Sequence, residues 1–187
     1  MNKNWIAFFS QTGTEIVNII NECKILPNFI ITNKLSLEGI NDELLEQLFS
    51  RLIILPHNPT EENYKGLIEH FENNDCSTDN TIITLHGYLR IVPPLLCDNY
   101  TVYNGHPGAI KLHPDLKGHN PQVRALKDRI IGCVIHKVTP IVDDGEIILE
   151  KNVVNNNLFE EEIIEHLKDV QLELWINFFK KQIKNNI

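Results

Sequence analysis

Two groups of polar residues in the second half of the chain have the side-chain types that group-transfer chemistry requires. Asn104 and His106 are separated by one residue at the end of an apolar run, and the acidic pair Asp143 and Asp144 precedes Gly145. An amide, an imidazole and a carboxylate can stabilise an oxyanion, move a proton and orient the imidazole during transfer of an acyl-type group. The same residues can also do no more than cap turns, because Asp-Asp-Gly is a frequent turn sequence.

The elements that must position these residues follow from the hydrophobic period. Short β-rich apolar runs alternate with amphipathic stretches, which predicts an α/β fold: a Rossmann-like, doubly wound, mostly parallel sheet with helices on both faces. The predicted strands are Trp5–Phe9, Phe29–Thr32, Leu52–Leu55, Thr81–Leu85, Thr101–Tyr103, Ile130–Val138 and Glu146–Val154. The predicted helices are Glu15–Leu26, Asn41–Ser50, about Thr60–Asn73, a short turn between His86 and Tyr100, and a long C-terminal helix over about residues 158–184.

This arrangement places the polar residues at the edge of a sheet. Asn104 follows the strand Thr101–Tyr103 at its carboxyl end, and we expect Gly105 and Pro107 to turn His106 out of the strand. Ligands of open α/β sheets bind at that edge. The segment Gly108–Asn120 has little periodicity and is predicted to be a loop; long loops in compact domains are often functional.

Composition bounds the class of protein. Apolar residues make up 42% and charged residues 22% of the 187 residues, which is ordinary for a single globular domain with a core over about residues 5–155. The net charge of −8, without a long basic run, argues against nucleic acid or an anionic membrane as a partner. No apolar run is long enough to span a membrane, and the N-terminus is too soon polar for a signal peptide, so we expect a cytoplasmic protein. Four scattered cysteines are expected to be reduced thiols: Cys23, Cys76, Cys97 and Cys133.

The motifs resemble those of the folate-dependent formyltransferases, most closely the branch that formylates glycinamide ribonucleotide. Asn104 to Pro107 matches an Asn-x-His-Pro motif of that family, and Asp143 to Gly145 matches its later Asp-x-Gly turn. Gly87 to Ile91 matches a Gly-Phe-Met-Arg-Ile-like segment, and Thr32 to Lys34 matches a Ser-Asn-Lys segment. The resemblance extends over about residues 5–155, and the order of the motifs is more specific than any one of them.

The resemblance implies transfer of a formyl group from 10-formyltetrahydrofolate to a primary amine. Asn104 would stabilise the oxyanion, His106 would assist charge and proton movement, and Asp143, aligned by the apolar run after the turn, would orient the imidazole and relay the proton. Residues of two segments would line the pterin pocket mostly through backbone groups: Leu89, Arg90, Ile91, Val92, Thr139, Pro140, Ile141, Val142 and Asp143. Arg90 would meet the amine or a folate carboxylate, or only form a surface salt bridge.

The amine substrate is expected to be small and phosphorylated. The loop from Ser10 to Thr14 lies between a strand and a helix, where backbone N–H groups and the positive end of the helix favour an anion. A plain strand–helix turn capped by Thr14 is the alternative. The residues implied in substrate binding are Ser10, Gln11, Thr12, Gly13, Thr14, Gly105 and Pro107.

Several departures from the family pattern bear on the identity of the amine. Gln11 replaces a second glycine, His86 replaces a small residue, and Gly108 stands where a serine is common. The loop Ala109–Gln122 is longer than in the purine enzymes, so an amino-sugar nucleotide or a modified nucleotide is the alternative substrate. Relatives that act on transfer RNA or hydrolyse formyltetrahydrofolate carry additional domains, and we do not expect either activity.

Two function classes other than a formyltransferase are considered. A hydrolytic metal centre would draw on the histidines, but none of their spacings puts two ligands on one helix face, and we expect no metal. A non-catalytic module of the same fold would bind a phosphorylated metabolite, although the joint presence of Asn104, His106 and Asp143 argues against it. The chain is expected to act as a monomer or homodimer, with the long helix as core or as a dimer contact. The histidines in question are His86, His106, His113, His119 and His136.

Overall fold

A single seven-stranded sheet forms the centre of the computed structural model, which describes residues 3–156 and 158–184. The strands are β1 Asn4–Phe9, β2 Phe29–Thr32, β3 Leu52–Ile54, β4 Thr81–His86, β5 Thr101–His106, β6 Ile130–Lys137 and β7 Ile147–Val154. Their order is β3-β2-β1-β4-β5-β6-β7. Strands β1 to β5 are parallel to one another. Strand β6 runs antiparallel to both of its neighbours, β5 and β7. The predicted mostly parallel α/β sheet is confirmed.

Six α-helices surround the sheet in the described part of the chain: α1 Thr14–Cys23, α2 Asp42–Leu48, α3 Glu61–Glu72, α4 Pro94–Asn99, α5 Pro121–Arg124 and α6 Glu160–Lys184. Helix α1 ends before the predicted Leu26, because Lys24 has a left-handed φ of 56° and its N–H closes the last turn on Ile20. Helix α2 begins where predicted, since the side chain of Asn41 accepts a hydrogen bond from the N–H of Leu44.

The sheet is covered on both faces, as predicted. Helices α1, α2 and α6 pack on one face in one apolar cluster, and α3 and α4 pack on the other. All six residues of β4 are buried, which confirms that this strand is central. Burial of apolar surface on both sides of one sheet is the main driving force that holds the layers together.

Helix α6 closes the larger cluster. It begins at Glu160, slightly after the predicted start, and its apolar stripe lies within the core. The linker predicted at Asn155–Asn157 is irregular at its first two residues, and Asn157 is outside the described residues. The stripe is therefore part of the intramolecular core: Ile163, Leu167, Val170, Leu174 and Phe178 are all buried.

Strand β5 is longer than predicted. It continues through Asn104 to His106, because antiparallel β6 pairs with it and sets Asn104 opposite His136. His106 therefore does not leave on a turn, and the expectation that Gly105 and Pro107 end the strand is wrong. A long-range partner on the open side of the strand outweighs the local preference of glycine for a turn.

The remaining features agree with the expectations. The segment Gly108–Asn120 is irregular apart from one 3₁₀ turn at Pro114–Leu116, and the four cysteines are free. Within residues 3–156 and 158–184, no helix has both the length and the apolar character needed to cross a membrane.

Trp175 tests how much α6 contributes to stability. Its side chain is fully buried against Phe178 and Phe179, so Trp175→Ala is expected to lower the free energy of unfolding by about 3–5 kcal/mol. Urea unfolding followed by circular dichroism measures the loss. Phe159→Ala is the matched control, since that ring is 76% exposed and its removal should change stability by less than about 0.5 kcal/mol. Equal losses in the two variants would contradict this role of α6.

Candidate active site

The pairing of β5 with β6 brings polar side chains together on one face of the sheet. Asn104 and His106 are two residues apart on β5, so their side chains lie on the same face, and His136 of β6 is directly opposite Asn104. The connection between β6 and β7 returns Asp143 to this face, where its carboxylate lies 3.2 Å from the ring of His106. The structure thus brings the predicted amide, imidazole and carboxylate into one cluster.

The carboxylate of Asp143 lies between two imidazoles. Its Oδ2 atom is 3.2 Å from Nδ1 of His106, and its Oδ1 atom is 3.2 Å from Nε2 of His136. The backbone N–H of Gly118 donates to Oδ2 at 2.8 Å, and the amide of Asn104 donates to Oδ1 at 3.4 Å. The side chain is only 9% exposed, so these contacts replace the water that an isolated carboxylate would need.

Backbone carbonyls fix which ring nitrogens carry hydrogen. Nε2 of His106 lies 2.9 Å from the carbonyl oxygen of Leu116, and Nδ1 of His136 lies 2.8 Å from that of Lys137. A carbonyl only accepts, so both of these nitrogens donate. In the neutral rings, the nitrogens that face Asp143 are therefore the unprotonated ones, and there the amide of Asn104 donates to His136 at 3.2 Å.

The electrostatic environment shifts both members of the predicted pair. Burial lowers the pKa of His106 below its ordinary value, and this outweighs the opposing attraction of Asp143. Burial by itself would raise the pKa of Asp143, but hydrogen bonding to His136 and the positive charge of His106, both of which require a protonated ring, together with the N–H of Gly118 hold it below its usual range. At neutral pH the pair therefore consists of a carboxylate and an uncharged imidazole.

His136 was not among the candidate catalytic residues found from the sequence. It is 2% exposed and contacts both Asn104 and Asp143. The signal that could have found it is a histidine within the apolar run of β6. Identifying its partner also needs the antiparallel register, which sets His136 opposite Asn104 on the same face.

The two acidic residues of the turn have different surroundings. Asp143 faces the imidazoles, whereas the more exposed Asp144 forms an ion pair with Lys117. Asp143 has a left-handed φ of 50°, which aspartate tolerates better than most residues. The turn is also tight at Gly145, where a Cβ would lie 1.8 Å from the carbonyl oxygen of Lys137.

The predicted phosphate loop lies at the point where the strand order reverses, between β1 and β4. Gly13 precedes α1 with a φ of 73°, and the hydroxyl groups of Thr12 and Thr14 lie 2.9 Å apart. Ser10 donates to the side chain of Asn33 and accepts from the N–H of Leu89 at 2.9 Å. The hydroxyl of Ser10 thus links the loop to the predicted folate segment.

A second buried polar network lies beside this loop. The carboxylate of Glu15, in the first turn of α1, is 2.6 Å from Nδ1 of His86, whose Nε2 is 2.8 Å from the hydroxyl of Thr84. Trp5 donates to the same hydroxyl at 2.7 Å. His86, noted as a departure from the family pattern, therefore holds an acidic side chain close to the end of the helix that would receive an anion.

The two segments predicted to line a pterin pocket expose apolar side chains. Arg90 donates to the carbonyl oxygens of His57 and Leu89 and contacts the ring of His57, so it pairs with no carboxylate among the described residues. Val92 is buried. The exposed apolar residues are Leu89, Ile91, Ile141 and Val142. The hydroxyl of Thr139 donates a hydrogen bond to the carbonyl oxygen of Ile141, and Pro140 is exposed. Exposed apolar side chains of this kind are typical of binding surfaces.

The other residues predicted to bind the substrate are Gly105, Pro107 and Gln11. Gly105 faces the side of the sheet opposite to Asn104, where a Cβ would lie 2.6 Å from the amide nitrogen of Gln171. Pro107 is half-buried directly after β5, and Gln11 is exposed. Among the described residues, no group of three or more His, Cys, Asp or Glu side chains is arranged to hold a metal ion.

Gly145→Ala should distort the turn that presents Asp143. The added Cβ meets a backbone carbonyl, which cannot move aside as a flexible side chain would, so we expect a loss of about 1–3 kcal/mol in urea unfolding. Gly66→Ala in α3 is the control: nothing lies within 4 Å of its Cβ, and alanine is expected to stabilise the helix by up to about 1 kcal/mol. An unchanged free energy of unfolding in Gly145→Ala would show that the turn has room to adjust.

Acid should weaken the fold through His106. Because its pKa is lower in the folded chain than the ordinary 6.5, the unfolded chain binds more protons below pH 6.5, and stability is lost as pH falls through that value. Asp143 adds a similar loss below its ordinary 3.8. The difference in unfolding free energy between the wild type and His106→Asn should therefore shrink from pH 7.5 to about pH 5. A difference independent of pH would contradict the lowered pKa.

The sequence of this chain matches those of known proteins. Residues 3–178 match the formyl transferase family. A phosphoribosylglycinamide formyltransferase of Dictyostelium discoideum is 28% identical over 175 residues, which cover 82% of this chain and 84% of that protein.

Solved structures share the fold. A phosphoribosylglycinamide formyltransferase from Streptococcus pneumoniae TIGR4 superposes with a TM-score of 0.81 at 21% identity, covering 97% of this chain and 99% of that one. A formyltetrahydrofolate deformylase from Pseudomonas syringae pv. tomato superposes with a TM-score of 0.80 at 19% identity, over 99% of this chain and 62% of that one. The match over nearly the whole chain confirms the resemblance seen in the motifs: this chain belongs to the formyl transferase family.

Proposed function

We propose that this formyltransferase moves a formyl group from 10-formyltetrahydrofolate to the primary amine of glycinamide ribonucleotide or a close analogue. The observation that carries the proposal is the convergence of Asn104, His106 and Asp143 in a chain of this family. The name of the Dictyostelium relative supports glycinamide ribonucleotide over the amino-sugar or modified nucleotide.

The step consists of an attack on a carbonyl carbon. The amine nitrogen forms a bond to the formyl carbon, the bond from that carbon to the folate nitrogen breaks, and the proton that the amine loses ends on the folate nitrogen. The amide nitrogen of Asn104 lies 3.2 Å from His136 and 3.4 Å from Asp143. An N–H of this amide directed at the substrate would donate to the oxygen that gains negative charge.

His106 and Asp143 act together in moving the proton. Both ring nitrogens of His106 are already engaged, one by Leu116 and the other facing Asp143. The pair therefore acts as one base: Nδ1 and Oδ2 face each other without a hydrogen at neutral pH and can hold the amine proton between them until it passes to the leaving nitrogen. His136 supports this arrangement by orienting Asn104.

Binding of the two substrates is assigned to the flanking segments. The exposed apolar side chains of Leu89, Ile91, Ile141 and Val142 would bind the pterin, which is flat and aromatic. The loop Ser10–Thr14 would bind the phosphate together with the N-terminus of α1. Glu15 lies in the first turn of this helix, and its carboxylate is held toward β4 by the hydrogen bond from His86. We also propose that the chain acts in the cytoplasm as one catalytic domain, as a monomer or homodimer, without metal or nucleic acid.

The test is turnover by the purified protein with 10-formyltetrahydrofolate and glycinamide ribonucleotide, followed by release of tetrahydrofolate. Asn104→Ala should lower kcat by about 10²–10³-fold, because one oxyanion donor is lost. Asp143→Asn should also lower kcat strongly, whereas Asp144→Asn, which removes only an exposed ion pair, should stay within about threefold of the wild type.

The outcomes separate the proposal from its rivals. Turnover with another amine alone would reject glycinamide ribonucleotide and keep the chemistry. Loss of the formyl group without any amine would indicate a hydrolase. Folate binding without turnover of any amine, unaffected by Asn104→Ala, would indicate a binding module, and a stoichiometric metal needed for turnover would revive the metal centre.

A further inference from the structure

One short loop segment touches both members of the proposed base. The carbonyl oxygen of Leu116 accepts from Nε2 of His106 at 2.9 Å, and the N–H of Gly118 donates to Oδ2 of Asp143 at 2.8 Å. The strands bring the two side chains together, but this segment decides which nitrogen of His106 carries hydrogen. The position of the segment is therefore part of the site.

One guanidinium contacts three backbone carbonyls of this segment. The guanidinium of Arg124, the last residue of α5, donates to the carbonyl oxygens of Asp115, Leu116 and Lys117, the latter two at 3.1 and 2.8 Å. Three successive carbonyls directed at one point repel one another, so this conformation needs a positive group at their focus. The planar fork of arginine, with five N–H donors, can satisfy all three, whereas the ammonium of lysine is a point charge.

We propose that Arg124 is a positioning residue for formyl transfer, which acts by fixing the Leu116 carbonyl and the Gly118 N–H against His106 and Asp143. The inference rests on the proposed function. It assigns Arg124 a role that its exposed position on a short helix does not suggest, since most exposed arginines contribute little.

The charge of Arg124 also acts on the imidazole. The groups that face His106 are Asp143, His136, Arg124 and the Leu116 carbonyl. Asp143 and the carbonyl favour the protonated ring, whereas burial, His136 and Arg124 disfavour it and lower its pKa. Loss of the positive charge at Arg124 should therefore raise the pKa of His106, although solvent screens part of the effect.

The chain offers a matched control. Lys127 lies on the next turn and is also exposed, but its side chain has no hydrogen-bonding partner among the residues that the structure describes. Arg124→Gln and Lys127→Gln remove the same charge from neighbouring surface positions. Only the first removes donors from the loop carbonyls.

The experiment combines kinetics with nuclear magnetic resonance of the full chain. Arg124→Gln should lower kcat about tenfold with little change in KM, raise the pKa of His106 in a ring titration without substrate, and speed hydrogen exchange at the Gly118 amide. Arg124→Lys keeps the charge but not the fork, so the pKa should stay near that of the wild type while kcat still falls. Lys127→Gln should match the wild type in all three measurements.

Each outcome bears on the inference. If Arg124→Gln keeps the kcat, the His106 pKa and the Gly118 exchange of the wild type, Arg124 has no positioning role. If Arg124→Gln does not fold, the same comparison with Arg124→Lys decides, because a wild-type kcat there would reject the need for the fork. If the wild type transfers no formyl group, the proposed function fails, while the titration and exchange measurements still test the link from Arg124 to His106.

Discussion

The antiparallel pairing of β6 with β5 is the constraint on which the site depends. It extends β5 through His106 and sets His136 opposite Asn104, and the return through the following turn carries Asp143 across 39 positions of sequence to the same face. The change of strand direction after β5 is thus what converts a Rossmann-like sheet edge into a cluster of amide, imidazoles and carboxylate.

The carboxylate of Asp143 is largely removed from water and therefore needs hydrogen-bond donors and positive groups around it. Asp143 gains one backbone N–H, one amide N–H and two imidazole neighbours. The two imidazoles and the amide are themselves held by other groups. Removing water raises the strength of each interaction, but it also raises the cost of leaving one of them unmade. The rigidity of the turn, where Gly145 touches the backbone of Lys137, follows from the same requirement.

Much of this could be predicted from the sequence, because local patterns determine it. The seven strands and the long helices follow from hydrophobic period, and the motif around Asn104 and the acidic turn follow from family resemblance. What could not be predicted depends on long-range pairing: the extension of β5 to His106, the contact of His136 with Asp143, and the loop carbonyls that fix the tautomer of His106. No spacing in the chain shows that Arg124 faces the carbonyls of residues 115–117, since that contact depends on how the loop folds back.

Contacts on the other face of the sheet explain why a glycine stands between Asn104 and His106. Asn104 and His106 point toward the site, so Gly105 points toward α6, where the side chains of Gln171 and Trp175 would lie 2.6 and 2.8 Å from any Cβ. The helix can approach the strand this closely only because that position has no side chain. Close packing behind the strand limits how far its backbone can shift, and an amide and an imidazole two residues apart then keep a fixed separation. The helix that completes the hydrophobic core therefore also helps to hold the geometry of the candidate site on the opposite face.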